Sequence, residues 1–304
     1  MEKYDVIVSG QVSTDVIFSS IPRMPNPGEE VYCGAFEFTC GGVYNTAVAL
    51  ARLGMRVAIV SPIGNDFLSK FVIDSLHTEG VSTELMYEIN RPLRALSVGL
   101  NYGGDRSFIS YQDDISDISL ENYLHTILDK VETKVLHTGT GPDSLSVIKK
   151  AKEKGIFVSL DVSWDEEWLQ SQKLKELIHE GDLFTPNLKE ALVITGETTP
   201  EKAINALSVV NPGNTIIIKL GAEGAMMKTG GAVTTISGFE RKPIDTTGAG
   251  DVFSAGVITG ILRDLPLSEA VRLGNFCGGC SVEGMGGTTN APHWDKVKKE
   301  FLQE

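Results

Sequence analysis

Seven residues, Asp245-Thr246-Thr247-Gly248-Ala249-Gly250-Asp251, join two carboxylates to a small, glycine-rich turn, and an apolar run from Val252 to Ile258 follows at once. The apolar run predicts a helix that continues through Leu262. Gly248, Ala249 and Gly250 carry no side chain large enough to keep a ligand off the backbone. Their N–H groups are therefore expected to stand free at a helix N-terminus. Such an end carries roughly +0.5 of an elementary charge and is an anion site. Asp251 falls in the first helical turn beside it. A carboxylate next to a phosphate cradle has one clear use: it takes the proton from a hydroxyl that attacks the phosphate. The plainer account is that Asp and Gly are common at helix starts and that Asp suits the helix dipole.

Other residues are placed for chemistry. Asn187 and Glu190 stand three apart on one helix face and could hold a hydrated Mg2+ through oxygens; capping of a helix by Asn187, with Glu190 answering, explains the same pair. Asp15 lies in an otherwise apolar stretch and needs partners if buried. Sugar hydroxyls would serve, whereas an Asp at a bend facing water needs none. Gly41 and Gly42 allow close backbone approach, and Asn45 offers both donor and acceptor; a glycine turn with Asn near a helix N-cap accounts for them equally. Asp161 closes a strand, and open α/β sheets bind ligands at strand carboxyl ends. Arg91, Arg94 and Arg106 are candidates for anionic contacts, with solvated charge the plainer reading. Cys277 and Cys280 form a C-x-x-C with no second such pair, which reads as small core residues on a packed helix.

These groups need a scaffold, and the pattern supplies one. Residues 4–9 are an apolar first strand ended by Gly10. Helix from Asn45 to Gly54, strand Arg56–Ser61 and a helix ending near Glu79 follow. Later come a helix near Asn122–Val131, a strand near Lys134–Thr138, a helix near Asp143–Lys154, a strand Ile156–Asp161, a helix near Gln172–Ile178, a strand Thr215–Leu220 and a helical stretch Leu267–Gly284. Strand and helix alternating at these lengths predict a parallel sheet with right-handed crossovers. Two stretches break the rhythm. Residues 21–40 hold a proline-rich turn and then alternating β-structure, and residues 93–111 read as a hairpin around Gly103-Gly104.

The 304 residues are 41% hydrophobic and 22% charged, with a formal net charge of −13. So acidic a chain is ill suited to sequence-independent nucleic-acid binding, which needs Lys and Arg against phosphates. It has no apolar run long enough to span a bilayer, no basic amphipathic segment and no leader-like start, so a soluble, cytoplasmic protein is expected.

Both glycine-rich stretches, Cys40–Gly54 and Asp245–Ile258, resemble the two signatures of the ribokinase-like (PfkB) sugar kinases, in the expected order, and the resemblance spans essentially the whole chain. It implies an α/β, ribokinase-like three-layer fold over residues 1–304: one domain with a central, mostly parallel sheet and a small β-sheet lid from about 12–40 and 91–113. It implies ATP-dependent transfer of the γ-phosphate to a hydroxyl of a sugar or sugar-like alcohol, with Asp251 as base and Gly248, Ala249 and Gly250 stabilising the transferred group. Asp15, Gly41, Gly42 and Asn45 would bind the acceptor. Asn187, Lys219, Gly221, Gly224 and Asn275 would bind ATP, and Glu190 with Asn187 would organise Mg2+. Asp245, Thr247, Val282, Met285 and Gly287 would surround a monovalent cation such as K+. A homodimer paired through the lid is a further implication. The chain also departs from the pattern. Gln11 and Ser13 replace common acidic or Asn residues, Leu68 a glycine, and Ser163 and Trp164-Asp165 the Asn and Arg found in several members after Asp161. The gap before Asn45 is short, with Tyr44 where a small residue is usual and expected to intrude on the sugar pocket. A nucleoside kinase on the same fold, with Tyr44, Phe36 and Tyr102 as base-stacking aromatics, and a non-catalytic sugar sensor remain as alternatives.

Overall fold

In the computed structural model, which describes residues 2–102 and 105–302 (the side chains of residues 105 and 106 aside), an eight-stranded sheet, a four-stranded sheet and a two-stranded β5-β6 pair share one chain. β1 (Glu2–Ser9), β2 (Val12–Ser19) and β3 (Ala35–Gly42) precede α1 (Val43–Arg52). β4 (Val57–Val60), β5 (Pro62–Ile63), α2 (Phe67–Thr78), β6 (Tyr87–Glu88), β7 (Ala95–Tyr102) and β8 (Asp105–Gln112) come next. Then follow α3 (Leu120–Ile127), β9 (Val131–Gly139), α4 (Leu145–Glu153), β10 (Phe157–Asp161), α5 (Glu166–Leu169), α6 (Gln172–Glu180), β11 (Leu183–Phe184), α7 (Leu188–Thr195) and α8 (Pro200–Val210). β12 (Thr215–Lys219), β13 (Gly224–Thr229), β14 (Ala232–Ser237), α9 (Ala249–Leu262), α10 (Leu267–Ser281) and α11 (Trp294–Glu300) complete the chain.

The large sheet runs β14-β13-β12-β11-β10-β9-β1-β4. β12, β11, β10, β9, β1 and β4 pair in parallel, and only the β13 and β14 pairings are antiparallel. Side chains alternate across a strand, so Ile7 enters one apolar cluster with α3, α4, α6, α7 and α8 while Val6 and Val8 enter the other with α1, α9 and α10. Burial on both faces explains why the inner strands read as unbroken apolar runs. The parallel strands end on one edge, which carries Thr138, Asp161 and Lys219.

The chain leaves the large sheet at Gly10 and enters a four-stranded sheet ordered β3-β2-β7-β8. β2 and β3 come from one of the expected lid segments, β7 and β8 from the other. The Gly103-Gly104 turn between the latter lies outside the described residues. α9 and α10 pack closely because a Cβ at Gly256 would meet the Gly274 Cα at 2.8 Å. Cys277 and Cys280 are buried there as free thiols among apolar neighbours. No described helix is long and apolar enough to cross a membrane.

Several boundaries move. α1 starts at Val43, two residues before Asn45, because Gly42 at φ +65° caps it. The helix expected to reach Val131 stops at Ile127, and Val131 already belongs to β9, pairing with Glu2. α10 ends at Ser281. α8 has no counterpart among the expectations, although Thr199 caps it and Pro200 occupies its first turn, a legible start signal.

Candidate active site

Gly248, at φ +69°, is the left-handed cap of α9. A Cβ there would meet the Gly287 Cα at 2.7 Å and the Asn45 Nδ2 at 3.1 Å, so only glycine fits. The Ala249 N–H leans on the Thr246 carbonyl at 3.4 Å. The Gly248 and Gly250 N–H groups have no acceptor among the described residues, so two of the three expected donors stand open and the third is weakly engaged. Asp251 is the third residue of α9. Its Oδ2 accepts from the Asn45 Nδ2 at 2.9 Å. Burial pushes the Asp251 carboxyl up to about 6, against the Asn45 hydrogen bond and with help from Asp161. A carboxyl poised near neutral beside open N–H donors suits a general base.

Asn45 is thus no helix cap. As the third residue of α1 it reaches α9, and its Oδ1 is buried with no hydrogen-bond partner. That orphaned acceptor sits against Gly287 and calls for a donor from outside the chain.

Lys219 closes β12 and Asp161 closes β10, two strands away. Their Nζ and Oδ2 lie 3.1 Å apart, and the Ser254 hydroxyl also donates to Asp161 Oδ2 at 3.4 Å. Burial alone would push the Lys219 ammonium down, but Asp161, Glu190 and Asp251 outweigh it and hold it above the ordinary value. A Cβ on Gly250 would stand 3.2 Å from Nζ, so the ammonium lies against the anion loop. Asn187 and Glu190 form a full capping box on α7: the Glu190 N–H donates to Asn187 Oδ1 at 2.9 Å, and the Asn187 N–H to Glu190 Oε2 at 2.7 Å. The Glu190 Oε1 accepts nothing among the described residues. Burial, with Asp161 and Asp251 nearby, pushes the Glu190 carboxyl up to about 7, where a cation would pull it back down. Gly221 opens a single 3-10 turn after Lys219, and Gly224 closes it.

A cleft of about 670 Å3 lies between the small sheet and these strand ends. Ser13, Ser97, Ser110 and Gln112 line it from the small sheet, Gly42 and Thr46 from around α1, and His137, Asp161 and Asp251 from the large-sheet side. Asp15 is buried beneath this surface. Its Oδ1 accepts from the Ser13 hydroxyl at 3.2 Å, and a Cβ on Gly41 would collide with its carboxylate. Burial raises the Asp15 carboxyl. Tyr44 does not enter the cleft. It packs into the apolar cluster with Cys40, Ala47 and Val48, because α1 turns residues 43 and 46 toward the cleft and 44 away from it. Phe36 is exposed on the small sheet beside Phe18. Tyr111 lies between the cleft-lining Ser110 and Gln112 on β8, so its ring falls on the opposite face of the small sheet, with Arg94 over it and its hydroxyl donating to Asp113 at 2.8 Å. Sequence reasoning did not single out His137, although the rule applied to Asp161 covers the end of β9 equally.

The remaining residues are committed locally. Both amide hydrogens of Asn275 are spent on the Ile236 and Ser237 carbonyls, at 2.9 and 3.1 Å. Asp245 Oδ1 accepts from the Thr247 N–H and hydroxyl, and Oδ2 from the Gly286 N–H at 3.0 Å. The Val282 carbonyl accepts from the Ile244 and Asp245 N–H groups, whereas the Met285 and Gly287 carbonyls accept nothing among the described residues. Arg94 is held by Asp113 and Arg91 by Asp117. The Arg106 side chain lies outside the described residues.

Residues 3–294 match the model of the pfkB family carbohydrate kinases. The chain is 29% identical to the ribokinase of Haemophilus influenzae over 305 residues, 97% of each chain. It is 30% identical to the 2-dehydro-3-deoxygluconokinase of Bacillus subtilis over 276 residues, 84% of each. An E. coli chain described as a candidate ribokinase II, solved with ATP and Mg2+, superposes over the full length of both chains with a TM-score of 0.85 at 20% identity; that likeness establishes the ribokinase fold.

Proposed function

The chain belongs to the pfkB family of carbohydrate kinases, and on that premise we propose that it transfers the γ-phosphate of ATP to a hydroxyl of a sugar or sugar-like alcohol, with Asp251 as the base. One observation carries the assignment of roles: the Asp251 carboxyl, at about 6, stands in the cleft beside the open N–H groups of Gly248 and Gly250. The acceptor hydroxyl gives its proton to an Asp251 oxygen as its own oxygen attacks phosphorus. The open N–H groups and the Lys219 ammonium meet the charge that spreads over the equatorial oxygens. Asn45 keeps Asp251 aimed, and its orphaned Oδ1 accepts from a second acceptor hydroxyl.

Glu190 fits Mg2+, since its Oε1 is uncommitted. Asn187 fits only as the residue that orients Glu190, because its one oxygen already caps α7. When bound, the metal neutralises phosphate charge. The Met285 and Gly287 carbonyls, beside the Asp245 carboxylate, supply oxygens for a monovalent cation. Val282 suits this less well, with two donors already on its carbonyl. Gly221 and Gly224 shape the turn along the nucleotide, and Asn275 props the end of β14 beside it.

The four-stranded sheet serves as a lid over the acceptor, which its share of the cleft wall supports. Its open edges β3 and β8 and the exposed Phe36 and Ile109 support pairing of two lids in a homodimer.

The test is ADP release with Mg-ATP across pentoses, hexoses, sugar acids, phosphosugars and nucleosides, with Asp251→Asn beside it. Turnover that the variant loses supports the reading. Equal turnover in the variant removes Asp251 as base.

A further inference from the structure

Among the polar side chains of the cleft that the transfer itself does not use is that of His137, near the end of β9. It is 3% exposed and shares the cleft wall with Asp161 and Asp251. Its Nδ1 lies 3.0 Å from the hydroxyl of Ser159, which is wholly buried on neighbouring β10. That contact fixes the ring, and Nε2 is the nitrogen left over, with no hydrogen-bond partner among the described residues. The residue lines the cleft and Nε2 is not among the buried, unpartnered side-chain atoms, so this nitrogen is available to a molecule bound there. Either tautomer offers one directed hydrogen bond at Nε2.

The charges around it narrow what that partner can be. Burial pushes the His137 ring down to about 4, Lys219 adding to the effect and Asp161 opposing it, so the imidazole is neutral. The ammonium of Lys219 already faces three carboxylates, those of Asp161, Glu190 and Asp251. Arg94 and Arg91 do not line the cleft and are already matched by Asp113 and Asp117. An acceptor that brought its own carboxylate or phosphate would add to a surplus of negative charge, in a site that must also receive ATP. A hydroxyl brings none and can pair with Nε2 whichever tautomer is present.

We propose that His137 is an acceptor-binding, specificity-determining residue, whose Nε2 hydrogen-bonds a hydroxyl remote from the reacting one on an uncharged polyhydroxyl acceptor. The inference rests on the kinase reading above.

Two substitutions separate the ring nitrogens. In His137→Gln the side-chain amide falls where Nε2 stands. In His137→Asn it falls where Nδ1 stands, which keeps the Ser159 contact and the fold. Ribose, fructose, myo-inositol and adenosine are compared with 2-dehydro-3-deoxygluconate and fructose 6-phosphate by ADP release with Mg-ATP. The expected result is turnover of an uncharged probe. His137→Asn should then raise its KM about tenfold (roughly 1.4 kcal/mol) with kcat, the KM for ATP and the melting temperature little changed. His137→Gln should restore the acceptor KM to within about threefold. Preference for an anionic probe, or an unchanged acceptor KM in His137→Asn, overturns the proposal while leaving the kinase reading intact. Turnover of no probe by the unmodified protein overturns both.

Discussion

Asn45 Nδ2 donates to Asp251 Oδ2 at 2.9 Å across 206 residues of sequence. The contact joins the two glycine-rich stretches, one opening α1 and the other α9. It also sets the direction of the base, since a carboxylate fixed by one donor keeps its second oxygen for the acceptor. Asp251→Asn should therefore lower kcat by about 10²–10⁴ while the KM for ATP stays within a few-fold. Asn45→Ala should cost less in kcat and more in acceptor KM, because it frees the base from its support and removes the orphaned Oδ1. Steady-state kinetics of the two variants separate these roles; equal effects on kcat would argue against them.

The same carboxyl sets a pH dependence of stability. Its folded value of about 6 lies above the ordinary 3.8, so the folded chain holds this proton more tightly than the unfolded one. Stability should then fall as pH rises from about 4 to 6 and stay reduced above that. Glu190, raised to about 7, extends the window to neutrality. Asp5, held near 2 with Lys134 and Arg56 overcoming its burial, acts the other way at lower pH. His137, pushed by burial from 6.5 down to about 4, adds stability as pH rises between those values and offsets part of the decline. Melting temperatures between pH 5 and 7.5 should decline in the unmodified protein and decline less in Asp251→Asn, which should melt higher at pH 7.5. An unchanged slope in the variant would sink this account. The activity of the unmodified enzyme should run opposite to its stability, kcat/KM falling about tenfold per pH unit below about 6 as the base is protonated.

The Lys219–Asp161 pair is mostly buried, with 14% and 15% of the side chains exposed. Breaking such a pair from one side costs about 3–5 kcal/mol, because a charge is left without its partner. Lys219→Met should show that loss in urea unfolding and raise the KM for ATP. Adding Asp161→Asn should recover much of the stability and none of the ATP affinity. Failure of the second change to restore stability would mean that Lys219 stabilises by packing along its stem.

How legible was this in the sequence? The anion loop was nearly complete, because Gly-Ala-Gly-Asp before an apolar run constrains the backbone locally. The first signature was half legible. Its glycines marked a close approach, but the start of α1 was misplaced by two residues because the true cap, Gly42, looks like part of the turn. That shift turned Tyr44 from the pocket into the core and gave Val43 the cleft. Asn187 and Glu190 satisfy both readings at once, capping and an open carboxylate oxygen, which no spacing argument could separate. The end of β9 is open to the same strand-end rule as Asp161; what the sequence does not show is the Ser159 partner of His137, which only the register of β9 and β10 identifies.

Gly248 offers a test of the loop itself. At φ +69° and with Gly287 backbone at 2.7 Å from any Cβ, Gly248→Ala faces both left-handed strain and a collision that no rotamer relieves. A loss of about 1–3 kcal/mol is expected in urea unfolding, with kcat falling further than stability predicts because the open N–H groups turn away. Gly250→Ala meets only the Lys219 ammonium at 3.2 Å, the far end of a flexible side chain. It should keep stability and weaken ATP binding. Equal destabilisation by both would mean that the loop tolerates no Cβ anywhere, for reasons other than backbone conformation.

The cation site can be tested directly. The Asp245 carboxylate is 4% exposed and ties the turn before α9 to the loop after α10, through Thr247 and Gly286. If a monovalent cation joins the Met285 and Gly287 carbonyls there, carbonyl dipoles replace its hydration shell, and ion size decides the fit. The cation would then act through the anion loop, since Gly287 touches Gly248. ADP release at matched ionic strength should be several-fold faster in potassium than in sodium or in a bulky organic cation, with the difference in kcat. Asp245→Asn should lower that selectivity and also loosen the turn, because an amide nitrogen cannot accept from Gly286 or Thr247. Equal rates in all three salts would instead assign Asp245 to holding the two loops together through hydrogen bonds alone, which its three donors already suffice to do.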